Sequence, residues 1–356
     1  MRITCVRFSR TLKSQDSELL LACVSKLCNQ TVQQLYAALF MQDSLMPNSN
    51  PSFHTSCRRT FSRVTRSTPS FRGKGRIFLK ANQFFLDHDA DPTDQVKLKN
   101  GTSLIVDLRS LTEAPSYYTG EYDSLLIKHC LPWIKADSII LDVGANIGFY
   151  TITLASHLNQ LGGTGKLLAF EPHPGNFQRL EENIAINQLN PVVSTHQIGL
   201  SDSCGKMELV LREDFKNGSE TGNASISSNR EFDEGFIKIP IQVNQLDSIS
   251  DQLLPANSRI DFIKVDIEGH EDFFLRGAFQ AISKDRPVIL TEVNPGFLKA
   301  RDISASELTI NNLPNGYQAW ELINKELFRI NHLDSTGRMR NIFLIPDEKI
   351  PLANIR

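Results

Sequence analysis

The chain has 356 residues, 40% of them hydrophobic and 22% charged, which is enough apolar material for a sizeable core and excludes wholesale disorder. Lys and Arg number 38 against 40 Asp and Glu, so the net charge of -2 excludes a chain built as a whole for nucleic acid or an anionic membrane surface. The charge is unevenly spread: the first 72 residues hold ten basic side chains and three acidic ones, making that segment +7 and the remainder -9.

Arg2, Arg7, Arg10 and Lys13 open the chain without an acid, a composition shared with organelle transit peptides and the lesser of two readings of its location. The six cysteines, Cys5, Cys23, Cys28, Cys57, Cys130 and Cys204, form no C-x-x-C pair and have no His at zinc spacing. A reducing, cytoplasmic setting is the expectation, without a disulfide framework or metal knuckle. No run reaches the roughly 18 to 20 apolar residues that span a bilayer.

Leu20, Val24, Leu27, Leu35 and Leu39 recur at helical spacing and predict an amphipathic helix over 19–40. Residues 41–75 lack either period and read as a flexible connector whose Arg58, Arg59, Arg63 and Arg66 make a solvated basic arm. Residues 1–75 are thus expected to be an extension, 76–135 a β-hairpin with a lead-in helix, and 136–350 the main domain. The hairpin spans Asp94 to Leu108 around Asn100-Gly101, read as a two-residue turn, and the helix spans Glu121 to Ile134 with Leu125, Leu126, Cys130 and Leu131 on one side.

From Ile139 apolar runs alternate with helical patterns: strands Ile139–Val143, Leu167–Phe170, Val192–Ile198, Ile260–Val265 and Pro287–Val293, with helices Phe149–Asn159, Gly175–Asn187 and about Glu271–Ile282. Such alternation predicts an α/β fold with a doubly wound, mostly parallel sheet, because parallel strands need crossover helices. An insert with runs Met207–Leu211 and Phe236–Val243 reads as a hairpin beside the ligand face, and Tyr317–Ile323 and Ile342–Ile345 as closing strands.

The first strand runs into Asp142-Val143-Gly144-Ala145-Asn146-Ile147-Gly148 and then a helix, the place where doubly wound sheets bind ligands. Counted from Gly144, the second and third glycines of a dinucleotide fingerprint are replaced by Asn146 and Phe149, and no P-loop lysine follows, so a phosphate-free ligand is expected. The next strand ends in Glu171-Pro172, a carboxylate placed to accept from both hydroxyls of a ribose. An adenosine-bearing ligand follows.

DVGANIGFYT, AFEPHPGNFQRLEENIAIN, IGLSD and IDFIKVDIEGHEDFFLRGA together resemble the FkbM-type family of S-adenosylmethionine-dependent methyltransferases, over about half the chain. The resemblance implies a Rossmann-like class I methyltransferase sheet of seven strands, the last antiparallel, with S-adenosyl-L-methionine across the strand ends. It further implies that Asp142, Gly144, Ala145, Asn146 and Gly148 line the methionine and ribose side, that Glu171 and Pro172 lie at the ribose, and that Ser201 and Asp202 lie at the adenine. The family leaves the acceptor open.

The fourth strand ends in Lys264-Val265-Asp266-Ile267-Glu268-Gly269-His270, where a transferable methyl would face its acceptor. A hydroxyl acceptor must shed a proton, so a base is needed. Asp266 is the first candidate and Glu292 the second, with Glu268 and His270 as alternatives that also serve as substrate contacts; Asp266 suits the methionine amine equally well. His270 also has a purely structural reading, and Glu271 reads as a helix first-turn acid. No ligand spacing argues for a metal. Asp266 is followed by Ile267-Glu268, not by the Pro-Pro-aromatic run of nucleobase amine methylases, and no Cys stands nearby for C5 chemistry. Gly218 to Ser228 is a polar loop that could cover the site and present Asn223 and Ser225. The expectation is an O-methyltransferase for a small-molecule, sugar or polyketide-like acceptor; the alternatives are an N-methyltransferase for an amine and a docking module without catalysis.

Overall fold

The computed structural model describes residues 53–67, 74–88, 90–212, 215, 218–219, 221–227, 233–255, 258–335 and 337–352. The helix expected over 19–40 lies outside them. The described chain opens with helices α1 (Phe53–Ser67) and α2 (Lys74–Asp87), the hairpin β1 (Thr93–Lys97) and β2 (Ser103–Asp107), and helix α3 (Ala114–Thr119).

The flexible connector is therefore corrected over 53–67. The buried face of α1 is Thr55, Arg58, Ser62 and Thr65, a polar stripe at helical spacing that apolar periodicity passes over. The Thr55 hydroxyl donates to Asp91 (3.0 Å) and that of Thr65 to the Tyr118 carbonyl (2.9 Å). Arg58, fully buried, pairs with Asp94 at 3.4 Å, and Arg59 pairs with the same carboxylate at 2.9 Å. Arg66 donates twice to the Tyr117 carbonyl, at 2.9 and 2.6 Å. The solvated arm is corrected at these three arginines, which dock the helix.

The hairpin forms with Thr93 opposite Asp107 and Lys97 opposite Ser103. Its loop is longer than expected: the Leu98 amide donates to Thr102, leaving Lys99 to Gly101 as a three-residue turn in which only Gly101 has positive φ (93°). Asn183 and Asn187 bind the outer edge of β2, accepting from the Ile105 amide (2.7 Å) and the Ser103 amide (2.9 Å). Phe78, Val96, Leu104, Val106, Tyr117 and Tyr118 form a core of their own that reaches Ile147 and Phe149.

The main domain follows as α4 (Ser124–Cys130), β3 (Ile139–Val143), α5 (Phe149–Leu161), β4 (Lys166–Phe170), α6 (Pro174–Ile186) and β5 (Val193–His196). Leu126, Ile127 and Cys130 of α4 are buried while Leu125 faces outward, against expectation. The insert supplies β6 (Gly199–Leu200), β7 (Gly205–Leu211), β8 (Ala224–Ile226), β9 (Ile237–Asn244) and α7 (Leu246–Leu253). Then come β10 (Ile260–Val265), α8 (Glu271–Gly277), α9 (Phe279–Asp285), β11 (Val288–Val293), α10 (Pro295–Arg301), α11 (Ala305–Leu308), β12 (Tyr317–Ile323), β13 (Glu326–Arg329) and β14 (Arg340–Pro346).

The large sheet has the order β13-β12-β14-β11-β10-β3-β4-β5. The strands from β11 to β5 pair in parallel, and β14 is antiparallel to both its neighbours. Seven strands become eight, because β12 turns back into β13 through Asn324-Lys325, both at positive φ (50° and 74°), the two-residue turn that Asn100-Gly101 does not make. Ile140, Leu167, Ala169, Phe262 and Leu290 meet α4, α5 and α6 on one face of the sheet; Leu141, Val143, Phe170, Ile263 and Val265 meet α8 and α9 on the other. Burial on both faces is why these strands read as unbroken apolar runs. The insert forms a second sheet, β6-β9-β7-β8, at the rim. No helix among the described residues is long and apolar enough to cross a membrane.

Replacing Asp94 by Ala leaves Arg58 buried without its carboxylate. A loss of about 3–5 kcal/mol is expected from denaturant unfolding, the cost of stranding one partner of a buried pair.

Candidate active site

The strand order reverses at β3, between β4 on one side and β10 on the other, and a cavity of about 400 Å³ opens at the carboxyl ends of these strands. Gly144, at φ 76°, starts the turn that leaves β3; a Cβ there would lie 2.0 Å from the Asp266 carbonyl oxygen, so only glycine lets the turn pass the end of β10. Gly144, Ala145 and Asn146 line the cavity, as do Glu171 and Pro172 at the tip of β4.

Glu171 is nearly fully buried and turns toward the glycine turn: one oxygen accepts from the Asn146 amide at 2.8 Å, the other from the His173 amide at 2.9 Å. Burial pushes its carboxyl up to about 7, against the pull of these amide hydrogen bonds. The remaining lone pairs are available to the cavity.

On the acceptor side the cavity is lined by Asp266, Ile267, Glu268 and Glu292, with Asn294, Met339 and Asn341 beyond them. Glu268 holds φ 55°, a left-handed conformation uncommon outside glycine. The loop is pinned by Glu271, whose one oxygen accepts from the amides of Ile267 (3.1 Å) and Gly269 (3.3 Å). Glu271 stands in the first turn of α8 as expected, and there it is also a buried anchor of the loop. Glu292 is pushed up to about 8 by burial and by the charges of Asp266 and Glu271; Glu268 is raised well above the usual carboxylate range by burial and by Asp266 and Glu292.

The polar insert loop does cover the site. Gly222, Asn223 and Ala224 line the cavity, and the Asn223 amide oxygen lies 3.5 Å from the Asn146 side-chain nitrogen. The loop is tied down at three points: Thr221 donates to buried Glu113 (2.6 Å), Ser219 to Asp107 (2.8 Å), and Asn176 clamps Gly222 with bonds of 3.0 and 2.9 Å. Ser225 turns away from the cavity and accepts from Arg212 at 2.9 Å.

Five expected site residues do not line the cavity. Asp142 is fully buried beneath it and accepts from the Thr151 hydroxyl at 2.5 Å. Gly148 sits at the start of α5, where a Cβ would press on Leu180 at 2.8 Å. Ser201 continues the ladder of β6, its amide bonded to Asn244, and bonds the His270 ring at 2.9 Å. Ile198, Gly199 and Leu200, just before it, line the cavity in its place. Asp202 pairs with Arg276 at 3.1 Å. His270, stacked on Phe273 and held neutral by burial, which lowers it to about 4, has the structural role.

Among the wall residues that sequence reasoning missed are Tyr122, lying flat on Phe149 with ring centroids 3.8 Å apart; Asp123, which accepts from the Tyr150 hydroxyl at 3.1 Å; Tyr150 itself; and Lys264. Only Lys264 carried a signal, a charge inside the apolar strand IDFIKV.

The lining chemistry decides what fits. Asp123, Glu171, Asp266, Glu268 and Glu292 face the cavity, with Lys264 as the only Lys or Arg among its described lining residues. A pyrophosphate would meet a cluster of acidic groups, whereas a nucleoside carrying a cationic sulfur draws those raised toward neutrality into their ionised form and is favoured. Glu171 suits the ribose, Asp266 the methionine ammonium, and the apolar strip from Ile198 to Leu200 the adenine. Among the described residues no group of three or more His, Cys, Asp or Glu is arranged to hold a metal ion.

Comparison with known proteins agrees. The family model for the methyltransferase FkbM domain matches residues 142–325. Methyltransferase sdnD of Sordaria araneosa is 27% identical over 182 residues, 44% of this chain and 67% of that protein. Hexuronic acid methyltransferase AglP of Haloferax volcanii is 29% identical over 180 residues, 50% of this chain and 64% of that one. The matched region thus spans about two thirds of each of these curated relatives. The crystal structure of methyltransferase FkbM from Methylobacillus flagellatus aligns with a TM-score of 0.34 at 20% identity, covering 59% of this chain and 44% of that one.

Two outcomes are expected. Gly144→Ala forces the turn off the Asp266 carbonyl and should abolish cofactor binding in calorimetry. With Glu171 as the ribose acceptor, affinity for S-adenosylmethionine should rise with pH up to about 7 and level off above it, because hydroxyls donate to an ionised carboxylate. Glu171→Gln should bind more weakly and lose that part of the pH dependence.

By its glycine turn, its strand-end carboxylate and a family match over just over half its length, the chain belongs to the methyltransferase FkbM family, and S-adenosyl-L-methionine is its cofactor.

Proposed function

We propose that the chain methylates a hydroxyl oxygen of a small polyhydroxylated acceptor, with Glu292 as general base. The observation that carries this is the state of Glu292: half-buried at the cavity wall, with no hydrogen-bond or ion-pair partner among the described residues, and pushed up to about 8 by burial and the charge of Asp266. A carboxylate whose affinity for a proton lies near neutrality is suited to take one from an alcohol.

S-adenosylmethionine, when bound, supplies an electrophilic methyl on a cationic sulfur. Asp266 holds the ammonium of its methionine end, and Glu171 holds its ribose. Glu292 takes the acceptor's hydroxyl proton as the oxygen gains the methyl, so the sulfur charge and the proton leave in one balanced displacement. Asn223, Asn294 and Asn341 offer amides to further hydroxyls of the acceptor, and the loop from Ser219 to Ala224 keeps water from the reacting atoms. The similarity to a protein named a hexuronic acid methyltransferase supports a sugar-like acceptor.

The acidic lining also favours an ammonium-bearing acceptor, so N-methylation of an amine is the second reading. A panel of polyols, sugars, sugar acids and amino sugars, assayed for S-adenosylhomocysteine formation, separates the two. In Glu292→Gln, turnover of a hydroxyl acceptor should fall by about 10²–10⁴ while cofactor affinity changes only a few-fold. The wild-type rate should rise with pH as Glu292 ionises, and the variant should lack that limb. Turnover that survives the substitution with the limb intact rules Glu292 out as the base.

A further inference from the structure

Lys264 is an ammonium placed inside the central sheet. In the parallel register of β10 on β3 it stands opposite Asp142, and it is 6% exposed. Its Nζ donates to the Gly144 carbonyl oxygen at 2.9 Å and lies 3.5 Å from Asp142 Oδ1 and 3.6 Å from Asp266 Oδ2. The Tyr150 ring covers it at 5.2 Å from the centroid. Three of these contacts serve different parts of the site: Gly144 begins the cofactor turn, Asp266 faces the methyl-transfer end, and Asp142 lies below both.

A buried lysine beside a buried aspartate is explained most simply as charge neutralisation. Two features exceed that explanation. The shortest contact of Lys264 is to the Gly144 carbonyl at 2.9 Å, against 3.5 Å to Asp142 Oδ1, so the ammonium sits closer to the turn than to its counter-ion. Lys264 also borders the cavity, where it is the sole Lys or Arg among the described lining residues.

Resting on the methyl-transfer reading above, we propose that Lys264 is a positioning residue: it pins the Gly144 turn in the shape that receives the cofactor and sets a positive charge on the strand next to that of Glu292, which lies two residues beyond the Lys264 register partner Leu290 on β11. The groups acting on Glu292 come from several elements. Asp266, Glu271 and Asp123 disfavour its ionised form, and Lys264 favours it. Asp142 sits one strand further away, on β3.

The single substitution Lys264→Met leaves Asp142 buried without a cation and is expected to fold poorly. The informative variant is therefore the double substitution Asp142→Asn with Lys264→Met. It removes one charge of each sign, so the net charge of the cleft is unchanged, and Asn retains an acceptor for Thr151. The melting midpoint should stay near that of the wild type. Calorimetry should show S-adenosylmethionine binding about tenfold more weakly, because the Gly144 carbonyl is no longer held. Loss of a nearby cation makes Glu292 harder to ionise, so the rising limb of the rate against pH should move up by about one unit. A double variant with wild-type affinity, or with an unmoved limb, overturns the proposal and leaves Lys264 as a counter-ion for Asp142. A wild-type chain that turns over no acceptor fails the reading of function instead, and the calorimetric comparison then decides Lys264 alone.

Discussion

The cleft depends on one cross-strand pair. A charge on a central parallel strand has no water to turn to, so it is tolerated only where the neighbouring strand supplies its opposite in register. β10 and β3 meet that condition with Lys264 opposite Asp142, one pair before the ladder ends at Val265 and Val143. From that pair the rest of the site is placed: Gly144 leaves β3 under the lysine's hydrogen bond, and Asp266 follows β10 within ion-pair reach of it.

The surrounding electrostatics select the ligand. Sheets of this kind bind dinucleotides when glycines let pyrophosphate approach a helix N-terminus. Here Asn146 stands in the turn, and carboxylates from α4's approach, β4, β10 and β11 face the space. The same geometry that elsewhere accepts anions is made selective for a cation. Once the methyl has left, the sulfur is neutral and that attraction is gone, which favours exchange of product for cofactor.

Support for the cleft comes from parts of the chain outside the sheet. The N-terminal hairpin and helices pack Val96, Leu104 and Tyr118 around Ile147 and Phe149, so the turn and the first residues of α5 are held from behind. Asp107 and Glu113, which belong to that unit, also hold Ser219 and Thr221 of the insert. One small core thereby steadies both the floor and the roof of the cavity. Its helix α1 was illegible to periodicity because it docks through Thr55, Arg58, Ser62 and Thr65, and a polar face gives no apolar signal.

The sequence by itself determined the strands of the sheet other than β13: Ile139 to Val143, Ile260 to Val265 and Tyr317 to Ile323 begin and end near where their largely apolar runs do, because strands buried on both faces are mostly apolar and carry a charge such as Lys264 only where a neighbour such as Asp142 answers it. It also determined the glycine turn and the carboxylate at the tip of β4, since both follow from strand ends and a spacing along the chain. Which side chains meet the ligand was decided by tertiary structure. Ser201 and His270 lie within a residue or two of the cavity wall but turn to each other, and Asp142 lies below the wall. Glu292 and Lys264 gain their chemistry from neighbours on other strands, and Asn223 comes from an insert folded back across the sheet. Facing direction and the sum of nearby charges depend on packing between distant segments, which no local pattern of residues encodes.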